Sequence, residues 1–319
     1  MTEGALLTKE EVIGLLLARG GSQRELFAQA VRTRDETLGR ALKIRGVVEI
    51  SNRCVKNCGY CAMRRDNKDL ARYRLESEAV LFAAEQIMEA GIKTVFLQSG
   101  QDPDCDALIN RVLPEISRKG AETLLCVGEK DKRVYESFRK AGADSYILKF
   151  EASNKTLYKS SANSDLGRRL ECIQYIKETG MKLGTGNIIG LPGQTVDDIA
   201  EDILLAVRLA PDFVSCSPFV ANKGTPFENM PAGDMDLILN AIAVWRIMIP
   251  RAMIPAVSAL EYVRPSGQAA GLSAGANVVT VNFTPREKLG EYAIYAKDRF
   301  VVSLGHARGL AETAGMEIA

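Results

Sequence analysis

The segment CVKNCGYC sets Cys54, Cys58 and Cys61 in the spacing C-x-x-x-C-x-x-C. A zinc site ordinarily takes four ligands, often as paired C-x-x-C knuckles. No fourth Cys or His lies near this triplet, and the single histidine of the chain is the distant His306. Three thiolates can hold three irons of a 4Fe–4S cube and leave the fourth iron open to a chelating molecule. That suits chemistry in which the cluster hands an electron directly to what it binds. Zinc binding and plain burial of three thiols are the competing readings.

A site of this kind needs a scaffold. The 319 residues, 46% of them apolar and 25% charged, fit one α/β barrel of roughly 250 residues with extensions. Lys plus Arg total 41 against 40 Asp plus Glu, which gives no electrostatic case for nucleic acid or an anionic membrane. No apolar run approaches the roughly 20 residues of a membrane span. The first residues lack a basic n-region, so a signal peptide is not expected and the seven cysteines are read as reduced and cytoplasmic.

Short β-branched runs at 46–50, 94–97, 123–126, 145–150, 183–189, 213–217, 254–257 and 277–281 alternate with amphipathic stretches at 77–90, 131–141, 164–179, 196–209 and 234–247. Gly91, Gly142 and Gly180 follow three of these stretches, where a helix stop belongs. The alternation predicts a (β/α)8 TIM-type barrel, complete or nearly so, over residues 44–319, preceded by a helical N-terminal extension at 1–43. An open doubly wound sheet is the alternative. In a barrel the chemistry lies at the C-terminal strand ends, and the triplet follows the first strand directly.

The sequence resembles the radical S-adenosylmethionine superfamily, whose mark is C-x-x-x-C-x-Φ-C after the first barrel strand, with Φ aromatic. Tyr60 fills the aromatic place. The resemblance spans roughly residues 40–285 and is closest to the group of biotin synthase, the FeFe-hydrogenase radical maturase and methylornithine synthase. ISNRCVKNCGYCAMRRDN and LQSGQDP resemble the maturase; NKGTPFEN, AIAVWRIMIP and SAGAN resemble biotin synthase; GNIIGLPGQT is shared. The resemblance implies a 4Fe–4S cluster on Cys54, Cys58 and Cys61, S-adenosylmethionine on its open iron, and a 5′-deoxyadenosyl radical that abstracts hydrogen from a small-molecule substrate. It implies flavodoxin or ferredoxin as electron donor. By position it places Gln98, Ser99 and Gly100 beside the methionyl amine, in a form that departs from the commoner G-G-E. Glu151 falls at the ribose or the amine, Arg169 (with Arg168 competing) at the methionyl carboxylate, and the segment from Ile188 to Leu191 against adenine.

Biotin synthase also draws sulfur from a second cluster. Its ligand positions fall here on Leu97, Leu124, Gly184 and Ala256, none able to bind iron. Cys105, Cys126 and Cys216 all lie near C-terminal strand ends, so they are expected to hold an auxiliary iron–sulfur cluster, whereas Cys172 reads as helix core. On the resemblance, the first expectation is sulfur insertion into dethiobiotin, with Lys149 and Ser217 near the substrate. The alternative is a maturase-like or methylornithine-synthase-like lyase or mutase acting on a small amino-acid-like substrate without a second cluster. A non-catalytic iron–sulfur scaffold is a third reading, disfavoured because a scaffold needs no Glu151 or Arg169. Oligomeric state is open, a homodimer among the options.

Overall fold

The computed structural model describes residues 4–296 and 298–319. Helices α1 (Lys9–Leu16) and α2 (Gly20–Leu38) precede β1 (Ala41–Ser51). The chain then alternates: α3 (Ser77–Glu89), β2 (Thr94–Ser99), α4 (Cys105–Arg118), β3 (Glu122–Cys126), α5 (Lys132–Ala141), β4 (Ser145–Ile147), α6 (Lys155–Ala162), α7 (Leu166–Glu178), β5 (Lys182–Ile189), α8 (Val196–Leu209) and β6 (Phe213–Pro218). After α9 (Met235–Met248), α10 (Ser258–Val263) and α11 (Gly267–Ser273) come β7 (Val278–Asn282), α12 (Leu304–Ala314) and a short β8 (Glu317–Ile318).

All ladders are parallel, in the order β6-β5-β4-β3-β2-β1-β7. The run at 254–257, read from sequence as a strand, forms only one bridge, Pro255 with Val278, and Met253 just before it forms another with Phe213. Pro255 has no N–H to give a ladder. Even so, Val214 N–H donates to Met253 O at 3.1 Å and Ala256 N–H to Val278 O at 2.9 Å, so this segment joins β6 to β7 and closes a TIM-type ring. Strand β8, which pairs with the start of β1, was not anticipated.

Period-2 alternation sorts each strand into a helix-facing and a lumen-facing set. Val48, Ile50, Val95 and Leu97 join the large core beneath the helices. Val47, Phe96, Leu124 and Ile147 form a separate apolar cluster inside the ring, with Cys126 against it. The expected stop at Gly142 is a left-handed cap at φ 114°, a conformation glycine adopts without a Cβ clash. Among the described residues no helix is long and apolar enough to cross a membrane.

Candidate active site

A cavity of about 300 Å³ opens in the lumen, and Cys54, Cys58 and Cys61 all line it. Their loop leaves β1 at Ser51 and is anchored to neighbouring turns. Val55 N–H donates to Gln101 O at 2.9 Å and Gly59 N–H to Ser161 O at 2.7 Å. The N–H of Gln101 points at Cys54 Sγ, 3.4 Å away. Gly100 permits this approach, because a Cβ there would stand 2.2 Å from Arg53 O and 2.9 Å from Cys54 Cβ. Its part is thus one of backbone fit beside the triplet.

Burial pushes the Cys58 thiol up to about 11, reinforced by charge on Cys54, and raises Cys61 for the same reason. Bare, these two are neutral thiols; binding metal must release their protons. Among the described residues no three Cys, His or acidic side chains converge tightly enough for a single metal ion. A cube spreads its thiolates further apart than one ion does. Three thiols around one cavity, with a backbone N–H already directed at a sulfur, fit a three-cysteine 4Fe–4S cluster and not a zinc site.

Tyr60, Gln98, Ser99, Glu151, Arg169 and Ile188 line the same cavity. Glu151 takes a left-handed φ of 64°, held by two bonds to β5: its N–H donates to Gly186 O at 3.0 Å, and its carbonyl accepts from Ile188 N at 2.9 Å. Strain of this kind persists where surroundings over-determine it, and here it turns the side chain into the cavity. Glu151 does not cap the helix that follows, because Asn154 caps α6. Lys149 Nζ lies 3.0 Å from Glu151 Oε2, an ionic contact off hydrogen-bonding geometry. That oxygen is therefore buried without a hydrogen-bond donor, and it fits the ammonium or hydroxyl of a bound S-adenosylmethionine. Lys149 Nζ also donates to Ser217 Oγ at 3.3 Å, and both residues line the cavity.

Arg169 is buried. Its Nε donates to Glu129 Oε1 at 2.7 Å and its Nη1 to the Lys149 carbonyl at 3.0 Å. Glu129 also pairs with Lys56 of the cysteine loop at 2.5 Å, tying that loop to α7. Arg168 instead faces outward to Asp131 and Glu171. Leu191 is buried away from the cavity, in the loop after β5 that Gln194 organises. This corrects its expected place against adenine, leaving Ile188 as the lumen residue of that segment.

The remaining cysteines do not share a site. Only Cys126 lines the cavity. Cys105 is buried at the start of α4 and donates to Asp102 Oδ2 at 3.3 Å. Cys216 is buried against α9, 3.7 Å from Ile238 O, because its neighbours Ser215 and Ser217 take the lumen side. Cys172 lies in α7 beside Lys130 O. The expected auxiliary cluster on Cys105, Cys126 and Cys216 therefore has no common space to occupy.

Sequence reasoning missed Arg45, Glu49 and Arg299, all of which line the cavity. Glu49 and Arg299 form a buried pair at 2.6 Å. Arg45 stacks over Phe96 at 4.9 Å and donates to Thr280 Oγ1 at 2.7 Å. It has no carboxylate partner among the described residues, and burial lowers it to about 10. The available signal was parity: Arg45, Val47 and Glu49 occupy alternate positions of one strand.

Residues 48–206 match the Radical SAM superfamily. The FeFe-hydrogenase maturase subunit HydE of Thermotoga maritima is 38% identical over 277 residues, 86% of this chain and 80% of that protein. The biotin synthase of Crocosphaera subtropica is 26% identical over 292 residues, 87% and 76% respectively. In fold, the crystal structure of methylornithine synthase (PylB) superposes with a TM-score of 0.85 at 23% identity, covering 99% of this chain and 95% of that one. The chain belongs to the radical SAM superfamily, within the group that holds HydE, methylornithine synthase and biotin synthase.

Proposed function

We propose that this radical SAM enzyme acts, as a lyase or mutase, on a small amino-acid-like substrate and carries no second cluster. The observation behind this reading is the content of the lumen: beyond the triplet it holds one thiol, Cys126, alongside the cations Arg45 and Lys149. Sulfur insertion would need a donatable sulfur that Cys105 and Cys216 are not placed to hold. The 38% identity to HydE against 26% to a biotin synthase points the same way.

Bound at the site, the cluster and S-adenosylmethionine supply one-electron cleavage of the sulfonium and a carbon radical that abstracts hydrogen. Cys54, Cys58 and Cys61 hold the cluster. Glu151 Oε2 would accept from the methionyl ammonium or ribose, Arg169 would meet the methionyl carboxylate through Nη2, its Nε and Nη1 being held by Glu129 and the Lys149 carbonyl, and Ile188 would flank the adenine. Gln98 and Ser99 border the amine from β2. Arg45 and Lys149 give the substrate carboxylate a cation to pair with, and Ser217 steadies Lys149. Val47, Phe96, Leu124 and Ile147 keep water from the radical. The electron comes from a flavodoxin or ferredoxin.

Deuterium transfer tests the reading. The reconstituted enzyme, with S-adenosylmethionine and dithionite, is offered deuterated amino acids and deuterated dethiobiotin in parallel. Label is expected in 5′-deoxyadenosine from an amino acid. Label from dethiobiotin alone would return the assignment to sulfur insertion.

A further inference from the structure

Arg72 lies outside every role described so far, yet its side chain reaches both flanks of the cysteine triplet. Its Nη1 donates to Asn52 O at 2.7 Å and Met63 O at 2.8 Å. Its Nη2 donates to Arg64 O at 2.6 Å and Asn67 O at 3.0 Å. Asn52 stands two residues before Cys54, and Met63 two residues after Cys61. One guanidinium thus closes the loop on itself through four carbonyls, without a carboxylate at ion-pair distance among the described residues. A buried or half-buried cation is usually paired; here the partial charges of four carbonyls stand in.

We infer that Arg72 serves the iron–sulfur cluster as a positioning residue, closing the loop that carries Cys54, Cys58 and Cys61 and setting a fixed positive charge beside it. Cluster potentials respond to nearby charge and hydrogen bonding. Reduction adds a negative charge to the cluster, and an adjacent cation favours the reduced form by Coulomb attraction. The carbonyls of Asn52 and Met63 that Arg72 Nη1 holds each stand two residues from a cysteine of the triplet, which fixes the guanidinium against the cluster's own loop. Lysine could keep the charge but not the planar fork that spans four acceptors; glutamine would keep some hydrogen bonding without the charge.

The inference rests on the assignment of the cluster to the triplet, and its test needs neither substrate nor turnover. Wild type, Arg72→Gln and Arg72→Lys are reconstituted anaerobically, checked for folding by circular dichroism, and assayed for iron per chain and for midpoint potential by EPR-monitored titration. Both variants are expected to load less iron than wild type. The glutamine variant's cluster should titrate at a more negative potential, and the lysine variant's at the wild-type potential. An unshifted potential in Arg72→Gln overturns the inference. Should that variant hold too little iron to titrate, a negative shift in Arg72→Lys, which keeps the charge, overturns it instead. Failure of the wild-type chain itself to take up a cluster would sink the underlying assignment, a different and distinguishable result.

Discussion

The two faces of the barrel wall carry residues of the same type with opposite fates. Cys126 ends β3 facing the lumen, whereas Cys216 on β6 faces α9. Arg169 enters the cavity from α7 and its neighbour Arg168 stays with surface acids. Residue type and closeness to a strand end therefore do not make a site; side-chain parity does. The triplet escapes this constraint because it lies on a loop, where Gln101, Ser161 and Arg72 each fix the backbone from outside.

The largest contrast concerns iron. Replacing Cys54, Cys58 and Cys61 with Ala should remove essentially all iron from reconstituted protein, whereas Cys105→Ala and Cys216→Ala should load as wild type does. Iron lost from Cys216→Ala in folded protein would break the distinction between the faces. Next comes the arginine pair. Losing a charged hydrogen-bonding group costs about 1.5–3 kcal/mol, roughly tenfold to a hundredfold in affinity. Arg169→Ala should weaken S-adenosylmethionine binding on that scale, measured by calorimetry on the loaded enzyme, while Arg168→Ala should leave it near wild type.

A smaller effect sharpens the picture behind Glu151. Asp202 of α8 is fully buried and accepts from Ser153 N at 2.6 Å and Asn187 Nδ2 at 3.0 Å. Asn187 bridges Glu151. Burial lifts the Asp202 carboxyl from 3.8 to about 6, so folding favours its protonated form. That contribution is complete below the unfolded value and is lost as pH rises through about 6. Asp202→Asn should cost about 1–3 kcal/mol, and chemical denaturation should show its deficit shrinking from pH 5 to pH 7. A deficit that grows over that interval would contradict the assigned sign. Smallest is Cys216→Ala itself, about 1 kcal/mol of lost packing with no change in S-adenosylmethionine binding.

Much of this was legible in the residues. The spacing of Cys54, Cys58 and Cys61 announced the cluster, and the helix-stop glycines announced the repeat. The apolar, β-branched pattern at 254–257 reads as a full strand, but Pro255 has no N–H for a ladder and the segment makes only an isolated bridge. Grouping Cys105, Cys126 and Cys216 gives closeness to strand ends more weight than parity, although Ser217 on the lumen side turns Cys216 toward α9. Leu191 was placed by continuity with Ile188, and the turn at Gly190 (φ 96°) carries it away. Arg72 and Glu129 were invisible, since each acts through contacts between loops that no local pattern encodes.

If one cluster alone occupies this chain, the iron and acid-labile sulfide content of the anaerobically reconstituted wild-type protein shows it. About four of each per chain are expected, the content of a single 4Fe–4S cube; about eight, with roughly four retained when Cys54, Cys58 and Cys61 are all Ala, would contradict it.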